Sequence, residues 1–293
     1  MDKNILITGG TGLLGHFWVN SMSYKHNIYL TYHKRVLKNE RVKSVKIELS
    51  DFNQIIDKIT KLKIDIVVNL VGISNVDKCE RNPELAYEVN QKLAKIIAQA
   101  CYKAGIKLIH ISTDHLYGDL NKLYSEDDKI ILLNHYAKSK YAGECDVLNE
   151  YPNALVCRTN FFGNGPKHRE SFSDWILSSL KMKKTLHLFD DVFFSPLLGN
   201  LIPEYAHKLL DLNASGIFNL SADDAITKYR FGDYICNYFN YPKNLIIKAS
   251  LKDRSDLARR PLSMGLSNNK ASKLLGCTFG NVIEHIVFLL KEK

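Results

Sequence analysis

Short apolar runs alternate with stretches of helical periodicity along the first half of the chain. Ile64–Val71 is almost continuously apolar, which is typical of a strand that is covered on both faces. Pro83 to Ala104 has helical periodicity, and Gly105 is a residue type that often ends a helix. Further strands are predicted at Asn4–Thr8, Ile28–Tyr32, Val45–Leu49, Ile106–Ser112 and Ala154–Arg158, and further helices at Leu13–Ser23 and Tyr136–Asn149. Asp51 is a candidate N-cap for another helix that runs to about Lys61. This alternation predicts an α/β fold with a doubly wound parallel sheet between layers of helices.

The pattern changes after Arg158. Asn160–Arg169 is rich in glycine, asparagine and aromatic residues and predicts a loop, whereas Gly216–Leu220 predicts a strand that returns to the main sheet. Helices are predicted at Ser171–Lys181, Leu201–Leu212, Tyr229–Phe239 and Val282–Leu290, with short strands and turns over Leu186–Leu198. We therefore expect one large domain over residues 1–160, to which residues 190–225 return, and a smaller lobe built from residues 161–189 and 226–293.

Composition narrows the class of protein. The chain has 293 residues, a net charge of +9 and six cysteines. The basic residues are spread along the chain rather than grouped with aromatic side chains, so the charge does not predict a nucleic-acid partner. The apolar runs are too short and too often broken by charges to predict a membrane span. Scattered cysteines without C-x-x-C spacing indicate reduced thiols in a cytoplasmic protein rather than disulfides or a zinc site.

Three glycines follow the first predicted strand and open the first predicted helix. Gly9, Gly12 and Gly15 have the spacing G-x-x-G-x-x-G, which in this context allows a tight turn, close approach of a pyrophosphate and close helix–strand packing. The alternative is a tight turn in an unrelated α/β protein. The second predicted strand ends in Thr-Tyr-His-Lys-Arg, with no acid nearby to bind the ribose 2′-hydroxyl of NAD. We therefore expect Lys34 or Arg35 to bind the 2′-phosphate of NADP(H). A solvated basic loop would have the same sequence.

Two polar motifs predict catalytic chemistry. Tyr136 and Lys140 are four residues apart and share one helix face. A nearby ammonium lowers the pKa of a tyrosine from about 10, and the pair can then donate a proton to a carbonyl oxygen as a hydride arrives. Ser112, Thr113 and Asp114 end a predicted strand, where open α/β sheets bind ligands, although a turn or cap uses the same residues. Either motif alone is weak, but their order and context fit one reductase site.

The segments that carry these motifs resemble the extended short-chain dehydrogenase/reductases, and within them the dTDP-4-dehydrorhamnose reductase group. The matching segments run in family order along nearly the whole chain: Thr8–Gly15, Val67–Asn69, Val76–Glu80, Ser112–Asp114, Tyr136–Lys140, Ala142–Glu144, Arg158-Thr159, Gly216–Ser221 and Arg260-Pro261 before Leu266. The resemblance implies a Rossmann-type NADP-binding domain and a C-terminal substrate lobe. It also implies NADPH-dependent reduction of the 4-keto group of a nucleotide-linked 6-deoxy sugar, for surface polysaccharide synthesis.

The resemblance also implies roles for individual residues. Thr113 would hold the reacting oxygen, Tyr136 would donate the proton, and Lys140 would bind the nicotinamide ribose and tune the tyrosine. The cofactor-binding residues, including those predicted above, are Gly9, Gly12, Leu13, Leu14, Gly15, His33, Lys34, Arg35, Glu48, Leu49, Leu70, Val71, Gly72, Tyr136 and Lys140. The substrate-binding residues are Ser74, Asp114, His115, Asn160, Phe161 and Arg260. NADP(H) is expected rather than NAD(H), no metal is expected, and a homodimer is left open.

Several positions on the expected substrate side depart from the rhamnose reductase pattern. His115 stands where that group usually has a tyrosine, and Asn160–Gly163 replaces a stretch that usually carries a tryptophan. Asp190–Val192 lacks a usual glutamine, and Leu262–Met264 replaces the usual Asn-Ser. These departures lie on the substrate side, so the reaction class is predicted more firmly than the sugar. A related 4-keto-6-deoxy sugar or another nucleotide stays open.

A second interpretation is a cofactor-binding regulatory subunit without turnover. The regulatory β-subunit of methionine adenosyltransferase looks like this family, keeps a Tyr/Lys pair and has a Thr-Lys-Tyr stretch similar to Thr227–Tyr229. Fold and motif alone do not separate the two interpretations. An epimerase or dehydratase is disfavoured, because dehydratases of this fold usually need an acid–base pair beside the threonine, and Asp114 is followed by His115 rather than glutamate.

Overall fold

The computed structural model describes residues 2–32, 36, 40–120 and 122–291. The predicted cofactor residues His33, Lys34 and Arg35 lie outside the described residues, so their roles stay predictions. The chain forms two compact units. Unit 1 contains Met1–Thr113, Asn134–Arg158 and Asn200–Phe218, and unit 2 contains Asp114–Leu133, Thr159–Gly199 and Asn219–Lys293.

These units differ from the predicted domains in their bounds. Residues 114–133 belong to unit 2, although the sequence analysis placed them in the first domain, and the segment that returns to unit 1 is 200–218 rather than 190–225. The hydrogen bonds of Tyr124 explain the first difference: its N–H donates to the Gly265 carbonyl at 2.8 Å, and its carbonyl accepts from Ser267 N–H at 2.8 Å. Such long-range pairing is not visible in a local sequence pattern.

A seven-stranded sheet is the centre of the α/β part of the molecule. Among the described residues its strands are β1 Asn4–Thr8, β2 Asn27–Tyr32, β3 Val42–Lys46, β4 Ile66–Asn69, β5 Lys107–Ile111, β6 Leu155–Thr159 and β11 Gly216–Leu220. Their order across the sheet is β11-β6-β5-β4-β1-β2-β3, and the neighbours from β6 to β3 pair in parallel. The predicted Rossmann-type, doubly wound α/β fold is confirmed.

The predicted third strand, Val45–Leu49, was wrong in its bounds. The strand is Val42–Lys46, which pairs with β2 from Val42 opposite Ile28 onward and is only partly buried. Ile47 and Leu49, the apolar residues that suggested the later position, instead pack in the hydrophobic core beside Ile55. An edge strand that is half exposed carries a weak apolar pattern, and this is why the sequence misplaced it.

Several helices of unit 1 begin or end at residues that cap them. They are α1 Leu13–Met22, α2 Phe52–Lys61, α3 Val76–Arg81, α4 Pro83–Tyr87, α5 Leu93–Ala104, α6 His135–Glu150 and α8 Leu201–Asp211. The Asp51 carboxylate accepts from Gln54 N–H at 3.1 Å and caps α2, as predicted. Gly105 ends α5 with a φ of 66°. The helix predicted over Pro83–Ala104 is interrupted by a π-helical segment at Glu88–Lys92.

Unit 2 contains short strands and the remaining helices. The strands are β7 Phe161–Phe162, β8 Leu186–Phe189, β9 Phe193–Phe194, β10 Leu197–Leu198, β12 Ile226–Thr227, β13 Ile246–Ala249 and β14 Ser263–Met264. The helices are α7 Phe172–Lys181, α9 Lys228–Tyr238, α10 Asn269–Leu275 and α11 Val282–Lys291, with 3₁₀ turns at Lys243–Leu245 and Leu251–Asp253. The predicted loop over Asn160–Arg169 therefore begins with a short strand, β7, which pairs in parallel with β10.

Four phenylalanines form an aromatic cluster inside unit 2. Phe162 contacts Phe231 edge to face at a centroid distance of 4.9 Å, and Phe172 contacts Phe194 edge to face at 5.9 Å. Phe231 also contacts both Phe172 and Phe194, so the four rings form one connected group. In the part of the chain described, none of the helices combines the length and apolar character needed to cross a membrane.

Candidate active site

The Tyr136 and Lys140 side chains lie on the buried face of α6 in unit 1. Asn134 caps this helix by accepting from Ala137 N–H at 2.8 Å. Tyr136 is 8% exposed and Lys140 is 6% exposed. The Lys140 ammonium donates to the carbonyl of Ile111, the last residue of β5, at 2.7 Å. The structure therefore brings the lysine of one predicted motif to the strand end that leads into the other.

Burial makes Lys140 an unusual lysine. Desolvation lowers its pKa to about 8, and the Glu144 carboxylate, one helical turn further along α6, opposes that shift. Glu144 is itself fixed by Arg158, whose Nη2 lies 2.7 Å from Glu144 Oε2 and whose Nε lies 3.0 Å from Oε1. Both side chains are 1% exposed. The Lys140 ammonium therefore donates to a strand carbonyl, and the carboxylate that acts on its pKa belongs to a buried ion pair.

Ser112 and Thr113 follow β5 and complete the buried polar surface near the strand end. Ser112 N–H donates to the Cys157 carbonyl of β6 at 2.7 Å, which fixes the backbone here. Thr113 is 3% exposed. Within the described residues, the buried Ser112 hydroxyl oxygen has no hydrogen-bond partner. An unsatisfied buried hydroxyl costs free energy, which fits a site that a ligand completes.

The sequence analysis missed Asn90, whose buried side chain lies between the loop after β4 and α6. It is fully buried in the π-helical segment, its amide nitrogen donates to Ser139 Oγ at 3.0 Å, and its amide oxygen accepts from Ile73 N–H at 2.7 Å. It therefore ties the loop after β4 to α6. A Cβ on Gly72 would lie 3.9 Å from the Lys140 ammonium. Departures from α-helical hydrogen bonding often mark functional sites, but no local sequence signal predicts them.

The glycine turn has no room for a side chain at Gly9 or Gly15. Gly9 has a φ of 67°, and a Cβ there would lie 2.9 Å from the backbone nitrogen of Val71. A Cβ on Gly15 would lie 2.2 Å from the Gly10 carbonyl oxygen. Gly12 is the N-cap of α1 and has no side chain to bind the first N–H groups of the helix. The first turn of α1 also lacks an acidic residue, so it can accept an anion.

A cavity of about 760 Å³ lies beside this turn in unit 1. The predicted cofactor residues among its walls are Gly9, Glu48, Leu49 and Val71. Its volume is within the range of small-molecule and cofactor sites. The cavity and the glycine turn together fit a dinucleotide.

The other predicted cofactor residues lie next to these elements. Leu13 and Leu14 open α1 directly after the turn, and Leu14 is buried in unit 1. Leu70 N–H donates to the Thr8 carbonyl at 3.1 Å, which extends the pairing of β4 with β1 toward Val71. Asn69 Oδ1 accepts from Thr8 Oγ1 at 2.7 Å and from Val71 N–H at 3.2 Å. The loop over residues 70–72 is therefore held by the ends of two strands.

Unit 2 contains a charged cluster made of Asp114, His115, Asn160, Lys228 and Arg260. Asp114 is 1% exposed, and Asn160 Nδ2 donates to its carboxylate at 2.6 Å. Burial, followed by the charges of Lys228 and Arg260, lowers the pKa of His115 to about 3, so its ring is neutral at pH 7. Burial also lowers the pKa of Lys228; Asp114 raises it and Arg260 lowers it further. Four of these residues were predicted to bind substrate, and Lys228 was not.

The two remaining residues predicted to bind substrate, Ser74 and Phe161, lie at positions that do not indicate a role. Phe161 is partly exposed in β7, and Ser74 is exposed directly before Asn75, the N-cap of α3. Their substrate-binding roles stay predictions. Over residues 2–32, 36, 40–120 and 122–291, no group of three or more His, Cys, Asp or Glu side chains is arranged to hold a metal ion.

Comparison with known proteins decides the family. A family model described as the RmlD substrate binding domain matches residues 3–292. The chain belongs to this family. The predicted resemblance to the dTDP-4-dehydrorhamnose reductase group is thereby confirmed at the level of family membership.

Curated relatives span most of the chain. A probable low-salt glycan biosynthesis reductase, Agl14 of Haloferax volcanii, is 28% identical and covers 93% of this chain and 92% of its own. A dTDP-4-dehydrorhamnose reductase of Salmonella typhimurium is 28% identical over 85% of this chain and 82% of its own. A methionine adenosyltransferase 2 subunit beta of Danio rerio is 27% identical over 94% and 85%. Two of these relatives are named as reductases and the third as a methionine adenosyltransferase subunit beta, which are the two alternatives that the sequence left open.

A solved structure supports the same fold. The dTDP-4-dehydrorhamnose reductase of Bacillus anthracis, in complex with NADP, superposes with a TM-score of 0.87 at 23% identity and covers 100% of both chains. At this identity the likeness establishes the fold.

Proposed function

We propose that this chain is an NADPH-dependent reductase that converts the 4-keto group of a nucleotide-linked 6-deoxy sugar to a hydroxyl for surface polysaccharide synthesis. The observation that carries the proposal is the buried arrangement of Tyr136 and Lys140 on α6, with Lys140 bound to the end of β5 just before Ser112-Thr113. The names of the Haloferax and Salmonella relatives support a reductase acting on a glycan precursor or a dTDP-linked keto sugar.

The residues of unit 1 would act on the carbonyl oxygen. NADPH, when bound, supplies the hydride. Tyr136 donates its phenolic proton to the oxygen on which negative charge develops, and Thr113 holds that oxygen by a hydrogen bond. Lys140, cationic below its pKa of about 8, favours the phenolate that the proton transfer leaves behind. Arg158 fixes the position of the Glu144 carboxylate, which raises the pKa of Lys140.

The cofactor would lie along unit 1. Gly9, Gly12 and Gly15 leave room for the pyrophosphate at the N-terminus of α1, and Glu48 and Leu49 line the cavity for the adenosine part. NADP(H) is proposed because the Bacillus structure is described in complex with NADP and because basic residues follow β2 in the sequence. Comparing KM for NADPH and NADH tests this preference, and a clear preference for NADH would contradict it.

The proposed reaction is tested with a panel of 4-keto-6-deoxy sugars linked to dTDP, UDP or GDP. Purified protein is mixed with each compound and NADPH, and oxidation of NADPH is followed by its absorbance. Turnover of at least one member, dependent on both protein and sugar nucleotide, is the expected result. Absence of turnover across the panel, with NADPH bound, would contradict the proposal. The same panel identifies the sugar and the nucleotide, on which the departures at His115 and Asn160–Gly163 bear.

Substitution G15A is expected to weaken NADPH binding. The new methyl carbon would lie 2.2 Å from the Gly10 carbonyl oxygen, so the turn must open. Forcing extra volume into a packed site typically costs about 1–3 kcal/mol, which corresponds to a Kd about 5- to 150-fold higher. Fluorescence titration of NADPH measures the effect. G105A is the control, because a Cβ at Gly105 meets no atom within 4 Å and only its positive φ of 66° is strained; equal Kd values for G15A and wild type would contradict the assignment.

A regulatory subunit is the second candidate function. The observation that favours it is the 27% identity to the methionine adenosyltransferase subunit of Danio rerio over 94% of this chain. A pull-down that recovers a synthetase, together with no NADPH oxidation on the panel, would support this candidate. Turnover on the panel would favour the reductase instead.

A further inference from the structure

A row of three buried polar side chains crosses the sheet of unit 1. Thr8 is the last residue of β1, Asn69 is the last residue of β4, and His110 is the next-to-last residue of β5. Strand pairing places Thr8 opposite Asn69, and Asn69 opposite His110. The three residues are 1%, 1% and 0% exposed, respectively. Their side chains bond to one another and therefore lie on the same face of the sheet.

The hydrogen bonds of the row fix the protonation of His110. Asn69 Oδ1 accepts from Thr8 Oγ1 at 2.7 Å and from the Val71 N–H at 3.2 Å. A backbone N–H can only donate, so the atom that faces it is the amide oxygen, and the amide nitrogen faces His110 Nδ1 at 3.0 Å. His110 Nδ1 is therefore an acceptor, and the neutral ring carries its proton on Nε2. Burial, followed by the charge of Lys140, lowers the pKa of His110 well below its usual range and keeps the ring neutral.

Stability alone does not account for this row. Leu6, Val67 and Leu108 stand two residues earlier in the same strands, share the face of the row and pack in the hydrophobic core. Apolar residues would continue this core, whereas buried polar side chains need hydrogen bonds. The ring of His110 meets this need only in part, because its Nε2 has no hydrogen-bond partner among the described residues. Buried polar groups that cost free energy are typical of functional sites.

Each residue of the row directly precedes a segment of the candidate active site. The glycine turn begins after Thr8, and the loop over residues 70–72 begins after Asn69. His110 precedes the last residue of β5, whose carbonyl accepts from the Lys140 ammonium at 2.7 Å. The row therefore connects three segments that are far apart in the chain.

The loop over residues 70–72 is packed closely between two of these segments. A Cβ on Gly9 would lie 2.9 Å from the backbone nitrogen of Val71. A Cβ on Gly72 would lie 3.9 Å from the Lys140 ammonium. A small shift of the loop therefore changes the space beside the glycine turn.

We propose that His110 is a positioning residue for the cofactor. By orienting the Asn69 amide, it holds the Val71 N–H, and with it the loop over residues 70–72, in the place where NADPH binds. His110 is fully buried, so it acts through Asn69 and not by contact with the cofactor. A loop that is already ordered binds a ligand more tightly than one that must be ordered on binding. This inference rests on the proposed function, since that function supplies the cofactor.

Substitution H110F is expected to raise the Kd of NADPH about 5- to 30-fold, the range for an uncharged hydrogen bond whose buried partner is left unpaired. Phenylalanine keeps a ring but has no acceptor for the Asn69 amide, so the amide can rotate away from the Val71 N–H. H110N should keep the Kd close to the wild-type value. The oxygen of asparagine is as many bonds from Cα as histidine Nδ1 and can accept the same hydrogen bond. Fluorescence titration of NADPH measures each Kd.

H207F is the matched control. His207 is also buried in unit 1, and its Nε2 accepts from Trp18 Nε1 at 3.1 Å, so H207F likewise removes a buried acceptor. The melting temperature of H207F should fall, whereas its Kd for NADPH should not change. Hydrogen exchange of residues 70–72 without cofactor, followed by mass spectrometry, should be faster in H110F than in the wild type. It should be unchanged in H110N and H207F.

Wild-type affinity for NADPH or wild-type exchange of the loop in folded H110F would overturn the inference. An equal loss of affinity in H110N or H207F would also overturn it, as would failure of the wild type to bind NADPH. If H110F does not fold, H110L, which also lacks the acceptor, is measured in its place and judged by the same outcomes. The proposed function is judged separately, by turnover of the wild type on the keto-sugar panel, whatever the Kd of the His110 variants.

Discussion

Substitution Y136F will lower kcat for reduction of the keto sugar by about 10²- to 10⁴-fold, the usual contribution of a positioned general acid. The substitution removes only the phenolic oxygen, and the ring of Tyr136, 8% exposed, keeps its packing on α6. The Kd of NADPH should therefore stay within a few-fold of the wild-type value. Steady-state kinetics with saturating NADPH, together with fluorescence titration of NADPH, measures both quantities.

Y141F provides the control on the same helix. Tyr141 also carries a phenolic hydroxyl on α6, but its side chain is only partly buried and its hydroxyl forms a hydrogen bond with the Cys145 thiol. Its kcat should equal that of the wild type. If Y136F turned over as fast as Y141F, Tyr136 would not be the acid, and the mechanism proposed for unit 1 would be wrong.

Substitution R158M will lower the free energy of unfolding by about 3–5 kcal/mol, the range for breaking a buried ion pair. Arg158 and Glu144 are both 1% exposed, and three hydrogen bonds of 2.7–3.2 Å join the guanidinium to the carboxylate. Removing the arginine leaves a carboxylate buried without its cation. Urea denaturation followed by circular dichroism measures the loss.

Two further variants test whether the loss of stability comes from the Arg158–Glu144 ion pair or from the removal of any cation. K61M removes the lysine of the exposed Lys61–Asp57 pair, whose side chains are 67% and 45% exposed, and should cost about 0.5 kcal/mol or less. The double substitution E144M/R158M removes both buried charges and should recover most of the stability, since apolar residues of similar size can replace such a pair. A double variant as unstable as R158M would show that packing, rather than charge, explains the loss.

The sequence predicted the buried part of the fold well. β1 and β11 have the bounds expected for Asn4–Thr8 and Gly216–Leu220, because their apolar patterns are strong and glycine or polar residues flank them. The Asp51 cap of α2 and the Gly105 end of α5 were predicted from residue chemistry alone. Local signals of this kind depend on neighbours in the chain and do not need the tertiary structure.

Features that depend on distant segments were missed. The π-helical segment at Glu88–Lys92 places Asn90 between the loop after β4 and α6, and no periodicity in the sequence marks it. The predicted position of β3 was wrong because the apolar residues Ile47 and Leu49, which follow the strand, pack in the hydrophobic core and are not part of the sheet edge. The segment 114–133 joined unit 2 through the backbone pairing of Tyr124 with Gly265 and Ser267.

The candidate site shows the same division. The sequence predicted Tyr136, Lys140 and Thr113 as site residues because their spacing and order are themselves the signal, and their roles stay predictions. Lys228 was not predicted to lie near Asp114 and Arg260, because the groups that surround it come from separate segments of the chain. A residue whose role is created by tertiary neighbours becomes visible only when those neighbours are placed.

Hydride transfer is the central claim, and isotope transfer tests it most directly. The protein is incubated with dTDP-4-dehydrorhamnose and NADPH that carries deuterium at both C4 positions of the nicotinamide, and the sugar product is examined by mass spectrometry and NMR. The reductase proposal predicts one deuterium, bound to the carbon that carried the keto group, and incorporation about 10²- to 10⁴-fold slower with Y136F. A product without deuterium at that carbon, or no product from any member of the keto-sugar panel, would contradict it.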